Sequence, residues 1–415
     1  LDGNFTTQVD GAGTLSVSVS STSATVYATT GGVVMGGSPD SVAGTTSPRA
    51  GLYSSPLCFS SDGRIDVLAG QGGRALVAVR LDGAVASALG DIQPDGLLAV
   101  QLSNGGVVSL ALNEQGGLAG TATIGGKVYP VMGGRSGGTA QASLVNLSVR
   151  SNVMAGAGSM VLGFVVSGNG SKSLLIRAIG PTLSMFGVPN YLKDPKIEVR
   201  RAGVPASETV VGINDNWQPI SVPAGSTAQG AFPLPANSLD AALLLPISAG
   251  AYTVETTDSA SGTGVALVEL YDADNPSLAS TAKLSNLSVR THIGTGDEVV
   301  IVGFMVSGTS PKRLLVRGVG PELSLFGLSD VLSDPHLSLF EVTSDGSRLV
   351  KEADDLSSAD GDIVAAAGKV GAFPLAETSR SSALAVWLAP GVYTAMVRSG
   401  SGAPGIGLVE LYDIP

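Results

Sequence analysis

The residues of this chain best able to do chemistry are few and widely spaced. There are two histidines, His292 and His336, and one cysteine, Cys58. A zinc site needs three or four Cys, His or carboxylate ligands close together, and no stretch of the sequence gathers them. A Ser-His-Asp triad would have to rest on one of those two isolated histidines. No Gly-x-Ser-x-Gly elbow, Gly-x4-Gly-Lys phosphate loop or dinucleotide fingerprint occurs. Gly168-Asn169-Gly170-Ser171-Lys172 imitates a phosphate loop but lies between two strand-like runs and reads as a turn. Carboxylates are the remaining option. Two acids suffice for glycoside cleavage, and Asp215, Glu341, Asp354 and Asp355 fall in loop-like stretches. Asn214-Asp215-Asn216 and Asp360-Gly361-Asp362 offer oxygens to Ca2+, without an established loop spacing. Calcium is thus the one cofactor the sequence leaves open. Trp217 could stack on a sugar, whereas Trp387, inside Leu384-Ala385-Val386-Trp387-Leu388, reads as core. These residues predict no catalytic set and no metal centre.

Composition narrows the classes further. In 415 residues, 44% are hydrophobic and only 14% charged, with 57 glycines, so Ser, Thr, Asn and Gly must supply most of the polar surface. The net charge of −11 opposes binding to a phosphate backbone, and basic residues cluster only as pairs such as Arg200-Arg201 and Lys312-Arg313. Nucleic acid is not an expected partner. A single cysteine excludes an intrachain disulfide, and Cys58 reads as a small buried apolar residue. No apolar run is long enough for a membrane-spanning helix. The chain begins at Leu1 rather than Met, which is compatible with a removed export segment.

What must position any site is a duplicated framework. Asn146-Leu147-Ser148-Val149-Arg150 returns as Asn286-Leu287-Ser288-Val289-Arg290, 140 positions later (286 − 146). Gly163-Phe164 through Ser167-Gly168 returns as Gly303-Phe304 through Ser307-Gly308, and Leu174-Leu175-Ile176-Arg177 as Leu314-Leu315-Val316-Arg317. Gly180-Pro181, Phe186-Gly187 and Asp194-Pro195 recur at the same offset. Between 144–195 and 284–335, 25 of 52 positions are identical, which chance does not produce. Beyond a one-residue shift, Ala231-Phe232-Pro233-Leu234 matches Ala372-Phe373-Pro374-Leu375 and Gly250-Ala251-Tyr252-Thr253 matches Gly391-Val392-Tyr393-Thr394. Val268-Glu269-Leu270-Tyr271-Asp272 likewise matches Val409-Glu410-Leu411-Tyr412-Asp413. Neither histidine has a counterpart: His292 aligns with Asn152 and His336 with Lys196. The repeated arginines at strand ends, Arg150, Arg177, Arg290 and Arg317, could bind an anion, but the simpler expectation is an ion pair with Asp194 or Asp334 or with Glu269 or Glu410. The repeated tyrosines predict buried rings whose hydroxyls bond the backbone at a sheet corner.

The periodicity is that of strands, since short β-branched runs end at Ser-Gly, Asp-Gly and Asn-Gly turns. The only good helix candidates are Pro181–Gly187 and Pro321–Gly327, a turn or two each. The expected fold is all-β: an N-terminal antiparallel meander or barrel over 1–138, then two tandem Ig-like β-sandwiches over 139–276 and 279–415. Asn275-Pro276-Ser277 is the joint, and the stretch from Gly31 to Ser55 reads as a long loop. Thr14 to Val19 alternates at period two, and Leu15, Val17 and Val19 would lie on one face. That strand is a candidate for exchange between chains.

The combined motifs resemble an uncharacterised repeat of large exported proteins from Verrucomicrobia-type bacteria, over about 142–415. The resemblance implies export and a cell-surface setting, and implies no activity. The reading that follows is a non-enzymatic extracellular structural protein, a subunit of a filament, surface layer or matrix. Its expected partner is itself, in a head-to-tail homopolymer. A module binding surface polysaccharide is the alternative, and a carboxylate-dependent glycoside hydrolase a second one.

Overall fold

The computed structural model describes residues 47–415, apart from 71, 115, 136–141, 156–158, 219–229, 275–281, 297, 309, 357–360, 377 and the side chain of 206, together with the backbone of four strands within 3–35. Its regular secondary structure is nearly all strand, and every ladder is antiparallel. The chain forms two compact units, 1–141 with 309–311, and 142–308 with 312–415.

In the first unit, β1 (Gly3–Val9), β2 (Gly13–Val19), β3 (Ala24–Thr30) and β4 (Val33–Met35) form one sheet in chain order. Leu15 is opposite Thr7 on β1 and Ala28 on β3, so the β2 backbone has a neighbour on each side within the chain. The side chains of Leu15, Val17 and Val19 lie outside the described residues. The second sheet contains β5 (Gly51–Pro56), β6 (Arg64–Ala69), β7 (Arg74–Leu81), β8 (Ala84–Asp91), β9 (Leu97–Gln101), β10 (Val107–Leu112), β11 (Gly117–Ile124) and β12 (Lys127–Arg135). Its order is β8-β7-β6-β5-β12-β11-β10-β9. The two end strands meet where Ser103 N–H donates to the Ser87 carbonyl, curling the meander toward a barrel. Alternate residues point inward, among them Ile65, Val67, Val77, Leu98, Val108, Leu110 and Val131. Asp82 and Gly83 both have positive φ (50° and 73°), the conformation a two-residue hairpin turn requires. Cys58 is buried here, and β5 already begins inside the stretch expected to be a loop.

The second unit holds both repeats. Copy 1 comprises β13 (Ala142–Val153), β14 (Met160–Ile179), β15 (Pro195–Arg201), β16 (Val210–Asn214), β17 (Ala241–Asp258) and β18 (Gly264–Asp272). Copy 2 comprises β19 (Lys283–Ile293), β20 (Val300–Gly308), β21 (Lys312–Val319), β22 (Pro335–Thr343), β23 (Gly346–Ala353), β24 (Ser382–Leu388), β25 (Gly391–Ser399) and β26 (Gly405–Asp413). The long β14 and β17 correspond to β20–β21 and β24–β25. Gly168 and Gly170, at φ 94° and 99°, let β14 change register in mid-course, so the Gly-rich stretch is a corner within one strand.

The sequence suggested one self-contained sandwich per copy, whereas the two copies share their ladders. One ladder runs β16-β15-β17-β14 in copy 1 and continues as β19-β26-β21-β24 in copy 2. The other runs β23-β22-β25-β20 in copy 2 and continues as β13-β18-β14-β17 in copy 1. The first strand of each copy therefore lies between the last strand of its own copy and the second strand of the other. The two junctions repeat each other residue for residue: Leu147 is opposite Phe304 and Leu287 opposite Phe164; Ser148 is opposite Gly303 and Ser288 opposite Gly163. Both ladders slip by one residue at the same place, beside Leu144 and Leu284, and these two leucines pair with each other. Further along, the buried hydroxyls of Ser151 and Thr291 meet at 3.0 Å. These equivalences mark a pseudo-two-fold axis. A side chain at Gly163 would put its Cβ 2.5 Å from the Ser288 hydroxyl of the other copy, whereas at Gly303 the nearest atoms, of Ser148, are 3.8 Å away.

Two 3-10 turns, Pro181–Phe186 and Pro321–Phe326, stand where Pro opens and Gly closes them. The strand and loop signals gave no warning of α1 (Gly361–Val370), a helix found in copy 2.

Candidate functional site

The repeated motifs converge on one buried network in each copy. Arg177 is about 1% exposed, the sort of burial an arginine tolerates only when paired. Its Nε and Nη2 donate to Glu269 Oε2 at 2.9 and 2.5 Å, and its Nη1 to the Phe232 carbonyl at 2.5 Å. The other Glu269 oxygen accepts from the Tyr271 hydroxyl at 2.7 Å. The guanidinium lies 4.7 Å from the Phe232 ring centre, close enough for a cation–π contact. Copy 2 repeats the arrangement with Arg317, Glu410, Phe373 and Tyr412 at 2.8, 2.7 and 2.7 Å for the corresponding bonds. Three separate motifs, Leu-Leu-x-Arg, Ala-Phe-Pro-Leu and Val-Glu-Leu-Tyr-Asp, thus exist to meet one another. Of the four repeated arginines, Arg177 and Arg317 take the glutamate rather than Asp194 or Asp334 as partner, and Arg150 and Arg290 are not in these pairs.

The remaining motifs serve the same framework. Phe164 stacks on Tyr252 and Phe304 on Tyr393, with ring centres 5.2 and 5.6 Å apart. The tyrosine hydroxyls donate to the carbonyls of Ser248 and Ala389, four residues earlier, as expected of a sheet corner. A Cβ at Gly180 would lie 2.1 Å from the Leu192 carbonyl oxygen, and one at Gly320 2.0 Å from that of Leu332. That close approach explains the Gly of Gly-Pro. Beside it, Asp240 accepts from Gly180 N–H at 2.8 Å and from the Thr182 hydroxyl. In copy 2 the roles are exchanged. Ser381, in the place of Asp240, accepts from Gly320 N–H at 3.1 Å, while Glu322, in the place of Thr182, accepts from Ser379 and Ser381. One buried acid facing hydroxyls survives in each copy, delivered from opposite sides.

Lys172 is a partner that sequence reasoning missed. It pairs with Asp272 at 2.6 Å and Asp274 at 2.8 Å, and Lys312 pairs with Asp413 at 2.5 Å. Burial alone would lower the Lys172 pKa, but its bonds to Asp272 and Asp274 outweigh that and raise it. Burial first, and then the Glu269 carboxylate, drive the Tyr271 hydroxyl upward; Tyr412 behaves alike beside Glu410.

The structure scatters most of the candidate chemistry. His292 and His336 are half-buried on separate strands, β19 and β22. Glu341 pairs with Arg348, and Asp215 accepts from the Ser259 hydroxyl at 3.2 Å. Trp217 is half-buried, its indole N–H shared between the Pro235 carbonyl and the Ser238 hydroxyl. Trp387 is also half-buried, in β24. Asp362 opens α1 and pairs with Arg313 at 2.6 Å. Asp354 and Asp355 do come together with Asp334, the only trio among the described residues whose ligand atoms lie within 4.8 Å of one another. Arg380 pairs with Asp334 there, and exposed acids adopt such groupings without an ion.

One surface feature adjoins the buried network. A shallow groove of about 370 Å3, mostly apolar, is lined by Arg150, Phe186 and Phe232 of copy 1 and by Ile301 and Gly303 of copy 2. Phe186 is 62% exposed, as is its counterpart Phe326, and each packs edge-on against the phenylalanine that carries the arginine contact.

No family model matches the chain, and no curated protein matches it. Among solved structures it is similar to an exo-β-1,3-galactanase from Phanerochaete chrysosporium with galactose, at 11% identity and a TM-score of 0.15, over 65% of this chain and 68% of that one. An α-xylosidase from Xanthomonas citri is similar at 10% identity and a TM-score of 0.10, over all of this chain and 38% of that one. Likenesses this slight carry no argument about fold or activity.

Two outcomes follow for the network. Arg177→Ala strands Glu269 in the interior and should cost about 3–5 kcal/mol in denaturant unfolding, whereas Arg177→Met with Glu269→Leu should cost far less. The second concerns alkali. An unfolded chain releases its tyrosine protons near pH ~10, while folded Tyr271 and Tyr412 hold theirs to higher pH. The unfolded state then binds fewer protons, so stability falls as pH rises above that point. The raised Lys172 acts in the same alkaline window, its contribution being lost as pH passes through its folded value. Stability measured against pH should decline from about pH 10, and Tyr271→Phe with Tyr412→Phe should move the onset upward.

Proposed function

We propose that the chain is a non-enzymatic structural module of the cell exterior, a subunit of a filament, surface layer or matrix held together by β-strand contacts. The observation that carries this reading is where the duplicated chemistry goes. Arg177, Glu269 and Tyr271, with Arg317, Glu410 and Tyr412, are bonded to one another in the interior, so the Arg, Glu and Tyr that recur in both copies are used in bracing the sheets. A module shaped for mechanical continuity needs this: crossed strands, internal ion pairs and few charges outside. The low charge, the abundance of Gly and the resemblance to repeats of exported proteins support the extracellular setting. A polymer of this chain with itself, and tandem sandwich-like repeats as its building block, belong to the same proposal.

A second reading is favoured by the groove. An exposed Phe186 beside Arg150 offers a stacking face and a cation to a surface polysaccharide.

Electron microscopy of the purified full chain tests the first reading: ordered filaments or layers are expected, and a dispersed monomer at high concentration contradicts it. Retention on a polysaccharide column that is lost in Phe186→Ala would favour the second.

A further inference from the structure

The two repeats meet in a contact built from their own strands. It consists of β13 on β20, and β14 on β19, with Leu144 against Leu284 at the centre. Every residue in it belongs to one repeat or the other, and both halves carry the same sequence in the same register. Asn-Leu-Ser-Val-Arg of one copy lies along Gly-Phe-x-Val-Ser-Gly of the other, twice over. A contact of this kind is indifferent to whether its two sides are on one chain. Each repeat withheld from it exposes the edge of a second strand, β14 or β20, and a first strand lacking one neighbour. Unpaired edges of that sort are templates for another strand.

We propose that this repeat–repeat face is the contact that links separate chains, repeat 1 of one molecule pairing with repeat 2 of the next in the registers seen here. The partner is a second copy of this chain. The inference rests on the structural reading above and names the contact that reading needs. Exchanging identical elements between protomers costs few contacts, because the same bonds form in either arrangement. What favours the closed form is proximity. Carrying two modules on one chain makes their contact intramolecular, at an effective concentration on the order of mM, so dilute chains close on themselves and concentrated chains compete. An open chain exposes a free repeat 1 at one end and a free repeat 2 at the other. Such heterologous contacts either close into a ring or continue as a filament. Since the two sides are alike in sequence, a free end can also accept a second copy of the same repeat.

Ser151 and Thr291 give the experiment its handle, because their buried hydroxyls meet at 3.0 Å across the junction. The full chain carrying Ser151→Cys and Thr291→Cys is refolded from denaturant at increasing concentration. It is then oxidised with copper phenanthroline and separated without reductant. The chain refolded dilute should run as a monomer whose mobility shifts on reduction, reporting a disulfide within one molecule. Refolded at high concentration, it should run as a ladder of dimers and larger multimers that collapses with reductant. The wild-type chain, whose one thiol at Cys58 is buried, should give no ladder. A monomer at every concentration, with its internal disulfide formed, overturns the proposal. If the introduced cysteines do not bond even in the dilute chain, light scattering on the wild-type chain refolded at the same concentrations decides. Multimers that persist on dilution support exchange, and monomer throughout contradicts it. Filaments in the microscope without a ladder would leave the structural reading standing and remove this contact; a ladder without filaments would do the reverse.

Discussion

A β-strand hydrogen-bonded on both edges cannot leave without exposing two rows of backbone donors and acceptors. In this protein the strand so held at the start of each repeat has one edge on its own copy and the other on its neighbour's. β13 lies between β18 and β20, and β19 between β26 and β14. Neither copy can therefore complete its ladders alone, and the rest of the second unit follows. Gly163 leaves room for the hydroxyl of the other copy's Ser288. Phe164 and Phe304 must be buried because each lies opposite a leucine of the other copy while stacking on a tyrosine of its own. Two bulges must coincide, because an offset at one junction alone would break the symmetry of the pair.

The buried arginines belong to the same logic. An isolated ion pair in an apolar interior rarely repays its desolvation. Arg177 and Arg317 each bond a carboxylate and a backbone carbonyl and face an aromatic ring, so each guanidinium is held from three sides. The carbonyls they bind, on Phe232 and Phe373, come from loops rather than strands. The network ties those irregular stretches to the sheet, and the exposed Phe186 and Phe326 rest on the result.

Much of this was legible in the residues. The 140-residue offset exposed the duplication, and alternating runs bounded by Ser-Gly and Asp-Gly announced strands. Pro181–Phe186 and Pro321–Phe326 were readable as turns because Pro and Gly bracket them. That recurring arginines meet recurring acids was readable, but Asp194 and Asp334 recur as Glu269 and Glu410 do, so the choice of glutamate was not. The partner of each first strand was not readable. The two copies present edges with the same motif, so sequence gives Leu147 no reason to prefer one strand with Gly-Phe-x-Val-Ser-Gly over the other. The exchange of Thr182–Asp240 for Glu322–Ser381 also escaped notice, since each half looks like an ordinary substitution until the two are seen to touch. α1 was hidden because it occupies the stretch where the copies diverge, leaving no repeat to compare.

Shared ladders should make the two repeats one cooperative unit in unfolding. The chain has two tryptophans, and they divide conveniently: Trp217 reports on copy 1 and Trp387 on copy 2. Denaturant unfolding of two single-tryptophan chains, Trp217→Phe and Trp387→Phe, each with and without Arg317→Ala, follows the copies separately. Shared ladders predict that a defect placed in copy 2 lowers the fluorescence midpoint of Trp217 as much as that of Trp387. A midpoint for Trp217 that stays in place while that of Trp387 falls would mean two independent sandwiches, and would contradict the account.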